Sequence, residues 1–183
     1  YITINSSTIM DLSGNPVNVI GSTTALIAVA FVLDVDNPNM ETFTLNLNTG
    51  YVLLTFNEPV SYLSLNPKVL SFQSNQSGSL SGITSYTLTG GQPIGPDNVV
   101  VSVALSATDL NMLKAIPDLA VNITNGYVSF PETLVTDLAV PSSNVVSVPF
   151  TAAISGSVVR DITPPTIGEF QLDFTLNQLV LTF

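Results

Sequence analysis

The chain has 183 residues, of which 45% are hydrophobic and only 9% are charged, and its formal net charge is −10. Lys and Arg number three in total, so the clustered cations that bind nucleic acid or anionic membrane surfaces are missing. The absence of Cys and His excludes a disulfide framework, a thiolate zinc site and His-based acid–base chemistry. The acidic residues are scattered and mostly fall in predicted turns, so we expect no enzyme activity.

The longest apolar run, TALIAVAFVL, covers residues 24–33. It is about half the ~20 residues that a membrane-spanning helix needs, and it lacks the basic flank of a signal peptide. We therefore expect no membrane span here. The β-branched residues of the run favour a long buried strand.

A β-hairpin is predicted next. Phe43–Leu47 alternates apolar and polar side chains, which is the period of a half-buried strand. Asn48-Thr49-Gly50 has the composition of a tight turn, and Tyr51–Phe56 reads as the return strand. Pro59 lacks an amide hydrogen and should mark the end of that strand or an edge.

Short strands separated by turn residues continue along the chain. We predict them at Val69–Gln73, Ser85–Thr89, Asn98–Leu105, Tyr127–Phe130, near Val135, at Val145–Val148 and at Phe150–Val159. One helix is predicted within Leu105–Pro117, with Ser106 as its N-cap and Asp109 reaching back in a variant capping box. The pattern predicts an all-β fold, namely Greek-key β-sandwich repeats with one short helix per repeat.

An internal repeat underlies this pattern. Asp34–Phe56 aligns with Asp161–Phe183 at a constant offset of 127 in the numbering. Upstream, Tyr1 aligns with Tyr127, and Asp11-Leu12 aligns with Asp137-Leu138, at an offset of 126. The sequence therefore predicts three segments: residues 1–33 as the end of a preceding repeat, 34–160 as one complete repeat, and 161–183 as the first hairpin of a following repeat.

Apolar residues at matching positions of the two hairpins are predicted to fill equivalent core or seam positions. They are Phe43, Leu45, Leu53, Phe56, Phe170, Leu172 and Phe183. In this alignment the turn Asn48-Thr49-Gly50 corresponds to Leu176-Asn177-Gln178, so the second hairpin loses its glycine.

Three motifs carry a family resemblance. LTFNEPV (54–60) resembles a strand and turn of bacterial Ig-like domains, and DLSGNPV (11–17) resembles a late hairpin of the same group. RDITPPTIGEF (160–170) is similar to the linker that joins successive Ig-like modules in surface adhesins and surface-layer proteins. The resemblance implies an extracellular or cell-surface protein of tandem β-sandwiches that acts as a stalk, fibre or adhesin.

From this resemblance we expect a structural module of an extracellular filament, appendage or surface layer that stacks head to tail. Its partners would be adjacent repeats or copies of itself, and its incomplete ends would be covered in the same polypeptide or by strand addition. The alternative is an adhesin module that binds glycan or protein through its loops, for which Tyr62 and Tyr86 are the candidate aromatic residues.

The sequence DVDNPN (34–39) suggests a calcium site at the predicted seam between repeats. Hard cations take six to eight oxygen ligands, and Asp34, Asp36 and Asn37, with Asp161 at the matching seam, could supply some of them. The competing interpretation is a solvated linker whose Asp residues form local turns. No other cofactor is expected.

Three sequons, at Asn5, Asn75 and Asn122, are candidate glycosylation sites. Asn75 is the preferred one because SNQSGSLSG reads as an exposed loop.

Overall fold

The structure, a computed structural model, describes residues 1–77, 82–121 and 125–183. These residues divide into two compact units, Tyr1–Asp34 and Val35–Phe183. The described part of the chain is mostly β, with several sheets and a single α-helix, as the predicted all-β class requires. No helix in these described ranges is long and apolar enough to cross a bilayer.

The first unit contains backbone pairing without extended strands. Its three isolated antiparallel bridges are Ile2–Leu26, Ile4–Ile20 and Met10–Pro16. The prediction of a long buried strand at residues 24–33 is wrong, because this run forms no strand and Val29 and Phe31 are 104% and 81% exposed. An apolar β-branched sequence becomes a strand only where a partner edge is within reach.

The second unit holds the named strands and the helix. The strands are β1 (Met40–Asn46), β2 (Tyr51–Val60), β3 (Ser71–Gln73), β4 (Ser85–Thr87), β5 (Gln92–Ile94), β6 (Asn98–Ala104), β7 (Tyr127–Ser129), β8 (Ile154–Ser155), β9 (Ser157–Val159), β10 (Glu169–Asp173) and β11 (Gln178–Thr182). The helix α1 is Ala107–Ala115. The strands form sheets in the orders β5-β6-β2-β1-β9, β4-β3-β7-β8 and β10-β11.

The first two sheets enclose one apolar core. The rings of Phe43 in β1 and Phe72 in β3 meet edge to face, with centroids 5.8 Å apart. Alternate residues of β2 point into this core, and Val52, Leu54 and Phe56 are at most 2% exposed. Leu53, predicted to be a core residue, faces outward and is 39% exposed, because it falls on the opposite phase of that alternation.

Several predicted strands differ from the structure. Val145–Val148 and the segment near Val135 form isolated bridges at most and no named strand, and the predictions Val69–Gln73 and Ser85–Thr89 are shortened to β3 and β4. β2 continues through Pro59 to Val60, and its register against β6 shifts between Thr55 and Val60. The predicted strand Phe150–Val159 is divided into a 3-10 turn, β8 and β9. At Gly156 the chain passes from the second sheet, where β8 pairs with β7, to the first, where β9 lies parallel to β1.

The helix forms where it was predicted. The Ser106 hydroxyl accepts a hydrogen bond from the amide of Asp109 (3.0 Å) and donates one to the Asp109 carboxylate (2.7 Å). Leu113 is buried in the core, and the helix ends at Ala115, just before Pro117. The expected capping box is thus confirmed.

The β10–β11 hairpin has the same register as the β1–β2 hairpin. Phe170 pairs with Leu181 and Leu172 with Leu179, and these pairs match Phe43–Leu54 and Leu45–Val52 at the offset that relates the two sequences. Asn46 Oδ1 accepts from the amides of Asn48 and Thr49, and Asp173 Oδ1 accepts from those of Thr175 and Leu176 at the same offset.

This register corrects the alignment of the two turns. Gly50 (φ 75°) corresponds to Asn177 (φ 50°), rather than to Gln178. Asn is the non-glycine residue that best tolerates the left-handed region, so the turn is kept although the glycine is not.

The pairing of the first unit also has a counterpart in the second. Three bridges of the second unit reproduce those of the first: Val128–Ile154 (between β7 and β8), Phe130–Val148 and Thr136–Asn144. The first residue of each pair lies at an offset of 126 from its counterpart in the first unit, and the second residue lies at an offset of 128. In both, an Asp side chain closes the turn: Asp11 Oδ1 accepts from the amides of Ser13 and Asn15, and Asp137 Oδ1 from those of Ala139 and Ser143.

Candidate functional site

The four residues of the predicted calcium site have different surroundings. Asp161 forms an ion pair with Lys114 (Oδ2–Nζ, 2.7 Å), and the hydrogen bond from Lys114, with a second from the Thr163 amide, lowers the pKa of Asp161 below its usual range. The Asn37 side-chain amide donates to the carbonyl of Asn144 (2.9 Å). In the described ranges, Asp34, Asp36 and their neighbours form no group of three acidic residues that could hold a metal ion. Calcium binding stays a prediction.

The predicted sequons lie at exposed positions where the structure describes them. Asn5 Oδ1 accepts from the amide (3.1 Å) and the hydroxyl (2.8 Å) of Ser7, and Asn75 Oδ1 accepts from the Ser77 amide (3.1 Å). Both asparagines are exposed. Asn122 lies outside the described residues. Glycosylation of all three stays a prediction.

The linker after β9 is fixed to the body of the second unit by side chains. Asn48 Oδ1 accepts hydrogen bonds from the Thr163 hydroxyl (2.7 Å) and the Ile162 amide (3.4 Å). Together with the Lys114–Asp161 ion pair, these contacts hold the linker against both the β1–β2 turn and α1. We call this set of contacts the linker latch. Sequence reasoning missed it, although the recurrence of Asp at both seams was the signal that pointed there.

A cleft of about 320 Å³ lies beside the latch. Its walls are mostly apolar, and its rim carries Lys114, Arg160 and Asp161. The Arg160 side chain donates to the carbonyl of Val121 and Lys114 is paired with Asp161, so both cations at the rim are already engaged. The cleft is therefore lined in part by the first linker residues, Arg160 and Asp161, and its two cations are not free to bind a ligand.

Asp109 is the most completely enclosed carboxylate that the structure describes. It is 0% exposed, and its oxygens accept from the Tyr86 hydroxyl, the amide and hydroxyl of Thr89, the Gly90 amide and the Ser106 hydroxyl at 2.7–3.1 Å. Burial raises its pKa, but these donors outweigh burial and keep the pKa below its usual range. A carboxylate so fully occupied fixes structure and has no lone pair directed at a substrate.

The two aromatic residues that could serve a binding groove are also engaged. Tyr86 donates its hydroxyl to Asp109 (2.9 Å), and Tyr62 packs so closely on Gly95 that an added Cβ would lie 2.3 Å from the ring. Both side chains are partly buried against the core. They support the packing of the loops.

The β10–β11 hairpin displays one apolar face, which we call the hairpin face. Its residues are between 42% and 73% exposed, whereas their counterparts in the β1–β2 hairpin are at most 2% exposed: Phe170, Leu172, Leu179, Leu181 and Phe183 against Phe43, Leu45, Val52, Leu54 and Phe56. The predicted core or seam residues of the second hairpin are therefore uncovered, and those of the first are buried except Leu53.

The first unit shows the same contrast. Ile2 and Ile9 are 54% and 57% exposed, whereas their counterparts Val128 and Val135 are at most 1% exposed. Two segments of this chain thus carry core-type sequences without a core around them. Comparison of the chain with protein-family models, curated proteins and solved structures finds no match.

Proposed function

We propose that the chain is a structural building block of an extracellular filament, appendage or surface layer, in which Ig-like Greek-key β-sandwich modules stack head to tail. The observation that carries the proposal is the register of β10–β11, which repeats that of β1–β2 one sequence repeat later and directly follows a latched linker. In this proposal residues 34–160 are one complete module, 1–33 belong to the end of another, and 161–183 begin a third.

The linker latch supports stacking at a fixed geometry. Lys114 and Asn48 hold Asp161 and Thr163, and Pro164 and Pro165 follow immediately. The proline ring restricts the backbone angle φ to a narrow range, so a short Pro-containing linker behaves as a stiff spacer. A stiff spacer suits a load-bearing fibre better than a protein whose modules must reorient around a ligand.

The composition supports an outer-surface location. Only 9% of residues are charged, and polarity is carried by Ser, Thr and Asn, with exposed sequons at Asn5 and Asn75. The family resemblance of the linker and the hairpins implies the same location.

The proposal is tested with the purified 183-residue chain by sedimentation velocity and negative-stain electron microscopy over a range of concentrations. We expect linear assemblies whose axial repeat is close to one module length. A chain that stays monomeric at every concentration would overturn the proposal. If that monomer also bound to an immobilised glycan, the adhesin alternative would replace the structural proposal.

A further inference from the structure

The chain carries two uncovered segments whose counterparts are packed into one core. The counterparts of the hairpin face, including Phe43 and Leu54, belong to the same buried cluster as Val128, Phe130 and Val135. The last three are the counterparts of Ile2, Ile4 and Ile9 in the first unit. In the second unit, the apolar face of the β1–β2 hairpin is therefore buried by a segment with the same bridge pattern as the first unit.

The open edge of β10 gives the second observation. Inside the complete sheet, β1 lies between β2 and β9, and Leu45 pairs with Val158 across the parallel β1–β9 contact. Among the strands that the structure describes, β10 pairs with β11 alone. One edge of β10 is thus open, and an open edge beside an exposed apolar face is a site for strand addition.

The segment that would pair with this edge is identified by its distance in sequence from the Asp residue at the start of each linker. Val158 lies three residues before Asp161, and Phe31 lies three residues before Asp34. At the offset of 127 that relates the hairpins, Ala30–Val32 is therefore the counterpart of β9, and the one-residue change from the offset of 128 at Leu26 falls between Leu26 and Ala30. The segment Ala30–Val32 is apolar and exposed, and it forms no strand in this structure.

We propose that residues 1–34 of one copy of the chain cover the hairpin face of a second copy, with Ala30–Val32 added as a parallel strand at the open edge of β10. Phe31 then lies opposite Leu172, as Val158 lies opposite Leu45. This inference rests on the proposed head-to-tail stacking and adds the partner, the surface and the register.

A second copy is the occupant that the observations favour. The hairpin face and the segment 24–33 contain no charged residue, so the contact needs neither an ion pair nor a ligand. Each copy also carries both halves, so one hairpin face and one covering segment remain available after each addition. Such a heterologous contact extends into an open chain of copies.

Cysteine crosslinking tests the register, because the chain has no cysteine of its own. Phe31→Cys and Leu172→Cys variants are prepared separately, mixed and oxidised. Because each variant carries one cysteine, a disulfide between positions 31 and 172 must join two chains. We expect the mixed disulfide to form at least about tenfold faster than in a mixture of Leu172→Cys with Leu63→Cys, since Leu63 is 79% exposed against 81% for Phe31 but lies outside residues 1–34. Equal rates would overturn the proposed register.

Two charge insertions test the hairpin face. Phe170→Glu places a carboxylate on it, whereas Val180→Glu places one on the opposite face, at the counterpart of the outward-facing Leu53. We expect Phe170→Glu to weaken assembly at least about tenfold and Val180→Glu to leave it within about threefold. If the wild type assembles and both variants assemble equally well, this inference is wrong and the proposed function stands. If the wild type never assembles, both are wrong.

Discussion

Gly156 lies against the ring of Phe43, and a Cβ built on Gly156 would stand 2.4 Å from two ring carbons and 2.5 Å from the Phe43 carbonyl oxygen. No side chain fits there unless β9 moves away from β1. We expect Gly156→Ala to lower the free energy of unfolding by about 3 kcal/mol, measured by chemical denaturation. Gly168→Ala is the control, because its Cβ would meet only the Thr182 carbonyl at 3.8 Å. Equal effects of the two substitutions would contradict this account of the sheet crossing.

Replacing the buried Asp109 carboxylate should cost more than replacing an exposed one. In Asp109→Asn, an NH₂ group would face donors that now point at a carboxylate oxygen, so we expect a loss of about 3 kcal/mol in the free energy of unfolding. Asp97→Asn is the control, because Asp97 is exposed and its Oδ1 accepts one amide hydrogen, from Tyr62, which an amide oxygen can also accept. It should change stability by less than about 0.5 kcal/mol.

The lowered pKa of Asp109 predicts that the stability of the fold decreases at acidic pH. Its pKa is lower in the folded chain than in the unfolded chain, so its contribution is complete above the unfolded pKa of about 3.9 and is lost as pH falls through the folded pKa. We expect urea midpoints of the wild type to fall as the pH decreases below about 4. The Asp109→Asn variant should show a shallower decline over the same range, and parallel profiles would rule out Asp109 as a source of it.

The linker latch should affect local dynamics rather than global stability. Lys114→Ala removes the ion pair to Asp161, a contact that is partly exposed to solvent and screened by salt. We expect hydrogen exchange at the Ile162 and Thr163 amides to become about tenfold faster, while β1 amides and the thermal midpoint stay close to wild type. Lys68→Ala serves as the matched control on an exposed lysine, and it should leave both linker amides unchanged.

Assembly through uncharged faces of a chain with net charge −10 should increase with ionic strength. Salt shortens the range of repulsion between copies and leaves apolar burial intact. We expect the weight-average mass in sedimentation experiments to rise between about 0.02 M and about 0.5 M NaCl. A decrease over this range would indicate that ion pairs hold the contact and would argue against the hairpin face.

The elements that could be predicted from the sequence are those with local signals. The β1–β2 hairpin follows from a two-residue period around a turn, and α1 follows from its cap and from Pro117. Their bounds depend on few distant residues. The linker latch could not be predicted in the same way, because Lys114 and Asp161 are far apart in the sequence and meet only after the fold has formed.

Failures of the sequence interpretation have one physical origin. Residues 24–33 have the composition of a buried strand, but composition does not specify whether a partner edge is near. The predicted strand at 150–159 begins and ends with apolar residues, yet Gly156 must approach Phe43 too closely for a single straight strand. Both depend on what lies across the sheet, which a linear pattern does not contain.

The parallel contact between β1 and β9 has a mechanical consequence. β1 leads into the sheet from the linker before Met40, and β9 leads out of it into the linker at Arg160. Tension applied through these two linkers therefore pulls the paired strands past each other along their length. Their contacts, Thr44–Ser157 to Asn46–Val159, are then loaded together as shear instead of opening one after another. We expect the module to resist extension until this short pair gives way as a unit, which single-molecule force spectroscopy would record as one abrupt rupture.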